Sequence, residues 1–164
     1  MVVAGYLGSL GVITSVPTFK LRPDYRQFYL LDEGLSPPYP ETITDLDLER
    51  GLKMAPNLIA IYSESDTELE ITVECHGAEP QIDQSAWAHI VEGSLELPSG
   101  RILVATPTSY LPDCMRIRVT PGAYRVRVAA IGVRPGIGAR CLVSLWPGTW
   151  APVAVLKSAA QHAA

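Results

Sequence analysis

The stretch "WAHIVEGSLELPSGRILV", Trp87 to Val104, decides how the fold is read. Val91, Leu95 and Leu97 fall on one side of an extended chain, and Glu92, Ser94 and Glu96 fall on the other. That period of two belongs to a strand with one dry face and one wet face. Pro98-Ser99-Gly100 interrupts the alternation and "RILV" resumes it. A two-residue turn at Ser99-Gly100 would pair Leu97 with Ile102 and Leu95 with Val104. The hydrophobic pattern and a hairpin register therefore agree.

The same reading extends outward. "MRIRVTPGAYRVRV", Met115 to Val128, has a turn at Pro121-Gly122 that would pair Val119 with Tyr124, Ile117 with Val126 and Met115 with Val128. "NLIAIYS" and "TELEITVEC" read as a further hairpin around "ESD". In its second strand Leu69, Ile71, Val73 and Cys75 alternate with Glu68, Glu70, Thr72 and Glu74. "RQFYLLD" and "CLVSLW" complete the set of strands, and "EGLSPPYPETIT" is a proline-rich loop. "DLDLERGLKMAP" predicts one short helix capped by Thr44, with Leu46, Leu48 and Leu52 partly inward and Pro56 as its end.

This pattern predicts an all-β protein: a single antiparallel β-sandwich, jelly-roll-like, with eight or nine short strands and at most one or two short helices. The expected core is Phe28, Leu30, Ile59, Ile61, Leu69, Ile71, Val73, Val91, Leu95, Leu97, Ile102, Val104, Ile117, Val119, Tyr124, Val126, Val128, Leu142 and Leu145. The organisation expected is an N-terminal arm or edge strand over 1–20, the sandwich over 21–147 and a C-terminal tail over 148–164. No internal repeat, long linker or second domain interrupts it.

Composition agrees. The 164 residues are 48% hydrophobic and 18% charged, which suits one globular domain with a real core. Gly and Pro, 13 and 14 in number, punctuate the chain as many short strands require. The apolar start "MVVAGYLGSLGVITSVPTF" lacks the basic flank of a signal peptide and is too broken to span a bilayer. Cys75, Cys114 and Cys141 have no disulfide spacing and read as buried, free, inert thiols in a reducing compartment. A cytoplasmic protein with no membrane partner follows.

Catalytic signatures are missing. No Gly-x-Ser-x-Gly elbow, phosphate-cradling glycine loop or Cys–His pairing stands out. His76 and His89 lack ligand spacing, and in a strand His89 and Glu92 point to opposite faces, so no metal and no cofactor are expected. "IVEGSLELPSG" resembles the glycine-turn segment of the cupins, which are metal-holding jelly rolls. That family's motifs need a His-x-His pair and a later histidine, whereas here His89 stands alone and the next histidine is His162. The resemblance supports the fold and not the chemistry. Trp87 and Trp146 fall near strand ends, whereas Trp150, between Pro147 and Pro152, has two readings: an exposed indole that could anchor an interface, or, as the favoured one, part of a tail packed against the sandwich.

Charge is unevenly laid out. The net charge is −4, which disfavours a general nucleic-acid binder. Residues 1–100 hold 16 of the 17 acids, and 101–164 hold 8 of the 13 Lys and Arg. Such asymmetry points to electrostatic partners. The Met115–Val128 hairpin would set Arg118 opposite Arg125 and Arg116 opposite Arg127, and like charges so placed repel. Either an acidic strand alongside offsets them, through Glu92 and Glu96 or Glu68, Glu70 and Glu74, or the arginines meet an acidic partner. Conversely, the carboxylate face suits a basic protein, a nuclease being one example.

The order of segments carries a family resemblance. "YRQFYLLD", a loop leading to "LERGL", a strand pair, "LELPSGRILV", "VTPGAYRVRV" and "LWP" follow one another between Asp24 and Pro147. This resembles the competence protein J family, small bacterial β-proteins whose founding member inhibits a DNA-entry nuclease. It is also similar to a wider set of uncharacterised bacterial β-proteins with the same turns. The shared residues are Gln27, Phe28, Gly51, Pro98, Gly100, Pro121, Gly122 and Tyr124, which serve turns and core. The resemblance implies a non-enzymatic role in binding another protein, with inhibition of, or immunity against, a nuclease or toxin as its sharpest form. The alternative is a cupin-like jelly roll that binds a small ligand or acts as an enzyme. The oligomeric state stays open.

Overall fold

Thr44 opens a helix, α1, that is shorter than the sequence predicts. Its hydroxyl accepts from the Asp47 N–H, and the Asp47 carboxylate accepts from the Thr44 N–H, a reciprocal cap. The computed structural model describes residues 17–34, 39–64, 66–132 and 138–158. Within it α1 spans Asp45–Arg50 and stops at Gly51, whose left-handed φ of 76° closes the last turn. Leu46 and Leu48 are exposed, not inward. Leu52 is fully buried, but as the first residue of a strand. Gly51 and not Pro56 ends the helix, because a left-handed residue lets the chain turn straight into strand pairing.

Eleven strands are present among the described residues. They are β1 (Thr18–Leu21), β2 (Gln27–Asp32), β3 (Leu52–Ala55), β4 (Leu58–Tyr62), β5 (Leu69–Cys75), β6 (His89–Leu97), β7 (Arg101–Ala105), β8 (Met115–Arg118), β9 (Gly122–Ile131), β10 (Ala139–Pro147) and β11 (Ala154–Lys157). Single 3-10 turns lie at Gln84–Ala86 and Leu111–Asp113. The strands form two sheets, ordered β1-β5-β10-β9-β6-β11 and β3-β4-β2-β7-β8. Residues 1–16, most of the predicted N-terminal arm, lie outside the described residues. β1 is an edge strand, and β11, in the segment read as a tail, pairs with β6.

Both sheets contribute inward side chains to one core. Phe28, Leu30, Ile59, Ile102 and Ile117 come from one sheet, and Ile71, Val91, Leu95, Leu97, Val126, Val143 and Leu145 come from the other. Of the predicted core, Val119 is only partly buried. Leu142 is half-buried on the reverse of β10, because Cys141, Val143 and Leu145 take the inward positions of that strand. A second apolar cluster, with Tyr29, Leu31 and Leu103, covers the outer face of the five-stranded sheet, so β2 is buried on both sides.

The three predicted hairpins are all corrected. β6 and β7 lie in different sheets, as do β4 and β5, and β8 and β9. The turns at Ser99-Gly100 and Pro121-Gly122 carry the chain from one sheet to the other. Leu95, Leu97, Ile102 and Val104 do share the core, but they face one another across it and are not cross-strand pairs. β6 pairs with β9 and β11, β7 pairs with β2 and β8, and β4 pairs with β2 and β3. Since crossings separate sequence neighbours, strand direction is no longer set by hairpins, and β5 runs parallel to β10. The six-stranded sheet is therefore mixed and not purely antiparallel.

The two crossing turns are fastened together. Gly100 has φ 68°, and a Cβ there would meet the Val119 carbonyl at 2.6 Å, so only glycine fits. Its own carbonyl accepts from the Val119 N–H at 2.8 Å. Asp32, 1% exposed at the end of β2, accepts from the Ser99 N–H and hydroxyl at 3.0 and 2.8 Å and from the Gly34 N–H at 2.8 Å. The Tyr124 hydroxyl donates to the Thr120 carbonyl beside the second turn.

Candidate functional site

The four arginines predicted to share a face are split between the two sheets. Because β8 pairs with β7, Arg118 lies opposite Arg101, and Arg116 lies opposite Leu103. Because β9 pairs with β6, Arg127 lies opposite Glu92, and Arg125 lies opposite Ser94. The repulsion implied by a β8–β9 hairpin never arises.

Arg127 and Glu92 form a nearly buried pair on the outer face of the six-stranded sheet, with side chains 6% and 11% exposed. Each guanidinium nitrogen of Arg127 donates: Nε to Glu92 Oε2 at 2.8 Å, Nη1 to the Pro80 carbonyl at 2.7 Å, and Nη2 to Glu79 Oε1 at 2.9 Å. The group also sits 4.9 Å from the Trp146 ring centre. Arg125 approaches Glu92 Oε1 at 3.5 Å and donates from Nη1 to Ser94 Oγ and the Ala151 carbonyl. Ser94 Oγ also accepts from the Ala151 N–H, tying the 148–151 segment to β6. These arginines are committed to protein acceptors and fasten the outer face of their own sheet.

On the five-stranded sheet Glu33 takes both neighbours. Arg116 Nε donates to its Oε1 at 2.8 Å, and Arg101 Nε donates to its Oε2 at 2.9 Å. The Arg116 hydrogen bond foremost, helped by Arg101, holds the Glu33 carboxyl below the usual carboxylate range despite some burial. Sequence reasoning missed Glu33 and Arg101, since their meeting depends on the chain crossing between sheets. It also missed Glu79, which reaches Arg127 from an irregular segment.

The charge imbalance along the chain is largely absorbed by strand order. Basic β9 and β10 run between acidic β5 and β6, so Arg127 faces Glu92, and Arg140 faces Glu70 in register. Of the predicted acidic face, Glu68 lies 3.8 Å from Lys20, and Glu74 accepts from His76 Nε2 at 3.0 Å. Glu70 is exposed between Lys20 and Arg140. Glu92 is internal to the ion-pair cluster. Glu96 is exposed near the end of β6, opposite Ala123 and not a cation, and its backbone N–H donates to the Pro56 carbonyl.

The histidines are held structurally. His89 Nε2 donates to the Arg50 carbonyl at 2.7 Å, at the C-terminal end of α1. Among the described residues no three of His, Cys, Asp and Glu group as a metal would require. No helix among them is long and apolar enough to cross a membrane. All three cysteines are free. Burial pushes the Cys75 thiol up to about 11 and the Cys141 thiol up to about 12. Cys114 is half-buried, a departure from the expectation that all three are buried.

Among the described residues two edge grooves stand out. One, of about 350 Å³, lies between the edge strands β1 and β8, beside the exposed Tyr110. The other, of about 420 Å³, lies along β6 where β11 stops, and is lined by Met54, Ala55, Pro56, Ser94, Glu96 and Trp150. Trp150 is 65% exposed.

No protein-family model matches the chain, and no curated protein sequence matches it. Solved structures do. The chain is similar to ComJ, inhibitor of the DNA degrading activity of NucA, from Bacillus subtilis, with a TM-score of 0.67, 14% identity, and 80% of this chain and 96% of that chain covered. It is also similar to the product of crocagin biosynthetic gene J, with a TM-score of 0.62, 19% identity, and 82% and 98% of the two chains covered. At these identities the likeness establishes a shared fold. The resemblance to the competence protein J family, first visible in the turn segments, thus extends to the three-dimensional structure.

Proposed function

We propose that this chain is a non-enzymatic bacterial protein that binds another protein in the cytoplasm and inhibits, or confers immunity against, a nuclease or toxin. The observation that carries the reading is the fold shared with ComJ, which covers nearly all of that inhibitor. Two further features support it. The two sheets share one core, β1 and β11 belong to the same sheet, and the nearly buried arginines Arg125 and Arg127 are paired internally. The acids that stay exposed, Glu70 and Glu96 among them, suit a basic partner surface and fast, salt-sensitive association. A direct nucleic-acid role is disfavoured, since Arg125 and Arg127 are turned to protein acceptors.

A second reading, a small-ligand-binding protein, draws on the likeness to a crocagin biosynthetic protein and on the 420 Å³ groove. One experiment separates the two. The purified chain is titrated into plasmid-degradation assays with the nucleases of its host, and the native protein isolated from that host is examined for copurifying species. Stoichiometric inhibition of one nuclease, relieved by salt, is the expected result. No inhibition together with a copurifying small molecule overturns the inhibitor reading.

A further inference from the structure

The groove beside Trp150 has three properties that point to one kind of occupant. Its floor is apolar and adaptable: Met54 and Ala55 end β3, Pro56 opens the turn to β4, and the Met54 thioether accepts from the Ser94 N–H at 3.0 Å. Its wall is an indole left 65% exposed, in a protein whose Trp146 is buried under a guanidinium. At its mouth stands Glu96, an exposed carboxylate one alternation along β6 from Ser94. The neighbouring cation, Arg125, already donates to Ser94 Oγ and the Ala151 carbonyl and is paired with Glu92, whereas Glu96 is left to meet an incoming cation.

We propose that this groove is a receptor for a single cationic side chain, arginine or lysine, presented by a basic protein partner. The aliphatic stem would lie along Met54 and Pro56, the charged head would lie against the Trp150 indole face, and Glu96 would supply the counter-charge. An indole and a carboxylate attract a cation together, and an apolar floor accepts the stem that water solvates poorly. A neutral or acidic side chain gains only part of this. The residue types also suit an interface anchor, since tryptophan and arginine are enriched among the contacts that carry most binding energy. Residues 148–151 are tied to β6 by the Ser94 hydroxyl, so the Trp150 backbone is pre-positioned.

The proposal rests on the protein-binding reading and specifies where such a partner would be gripped. It is tested on the full chain with three otherwise identical short glycine-rich peptides, carrying one central arginine, one lysine or one citrulline, the last being an uncharged analogue of arginine. The indole N–H signals of Trp87, Trp146 and Trp150 are followed by NMR, and Trp150→Phe identifies the third. The expected result is a saturable shift confined to Trp150, with affinity about three- to tenfold weaker for citrulline, and weaker by a similar factor for arginine in Glu96→Gln. Both substitutions are on exposed side chains, and an unchanged melting temperature confirms the fold. Equal shifts for arginine and citrulline, no change in Glu96→Gln, or shifts spread over all three indoles would overturn the proposal. Nuclease inhibition that survives Trp150→Ala and Glu96→Gln would sink the groove and keep the inhibitor reading. Peptide binding in the groove with no nuclease inhibited would do the reverse.

Discussion

Replacing Glu92 with glutamine removes one negative charge from a place where two guanidinium groups depend on it. Glu92 Oε2 lies 2.8 Å from Arg127 Nε, and Oε1 lies 3.5 Å from Arg125 Nη2. The Arg127 side chain is 6% exposed and the Arg125 side chain is 12% exposed, so water reaches neither well enough to take over. Glutamine keeps the shape and one acceptor oxygen, so the change isolates charge from packing. Removing one member of a buried pair costs about 3–5 kcal/mol, mostly from the uncompensated partner. Here Arg127 retains Glu79 and the Pro80 carbonyl, which places the expectation near 3 kcal/mol. For a chain of this size that corresponds to a fall of roughly 6–12 °C in melting temperature. Urea unfolding with an unchanged slope is the primary assay. The Arg127→Met, Glu92→Met double variant should recover part of the loss, because the apolar pair removes the Arg127 charge, while Arg125 keeps only Ser94 Oγ and the Ala151 carbonyl as acceptors. A Glu92→Gln loss under about 0.5 kcal/mol, or a double variant worse than the sum of the singles, would refute the claim that this cluster is an electrostatic fastening.

Other consequences are simpler. Glu33, held below the usual carboxylate range by Arg116 and Arg101, contributes stability that is present above the unfolded-state carboxylate pKa and is lost as pH falls through its lower folded value. Acid unfolding of Glu33→Gln should therefore be shallower than that of the wild type below about pH 4, by under about 1 kcal/mol for so exposed a group, and parallel curves would refute it. At neutral pH a thiol reagent should label Cys114 readily and leave Cys75 and Cys141 protected until unfolding exposes three thiols, whereas rapid labelling of two in the native state would contradict their burial. Gly100→Ala should cost about 2 kcal/mol or more from its left-handed backbone and the blocked approach to Val119, measurable in urea, and a neutral result would show that the two crossing turns do not pack as described.

The local features most legible in the sequence were those set by neighbours along the chain. Thr44 and Asp47 are three residues apart, and Gly51 follows the helix they cap, so a cap could be read directly. Leu69, Ile71, Val73 and Cys75 are buried as their alternation requires, because a strand's side chains change face at every residue whatever lies beside it. The exposure of Trp150 was less legible, since its proline-bounded setting fitted a packed tail at least as well and the structure leaves the residue 65% exposed. What alternation could not reveal is the identity of the adjacent strand.

That degeneracy is physical. A strand–turn–strand segment can close as a hairpin within one sheet or cross to the facing sheet, and both put Leu95, Leu97, Ile102 and Val104 into the same core. Hydrophobic burial, the dominant force in folding, is the same in the two cases, and only charge and turn geometry distinguish them. One signal did lie in the sequence: a Met115–Val128 hairpin would have stacked Arg118 on Arg125 and Arg116 on Arg127, and that unfavourable pairing argued against the register itself. The tertiary structure avoids that stacking by pairing Arg116 with Glu33 and Arg127 with Glu92, although Arg118 then lies opposite Arg101, whose own side chain is taken by Glu33. By itself, then, the sequence determined most of the inward strand positions, where α1 begins, and that the chain is all-β. Only the folded arrangement decided which charges neutralise each other, and hence that Glu96 and Trp150, from segments far apart in the chain, meet at one groove left open by the end of β11.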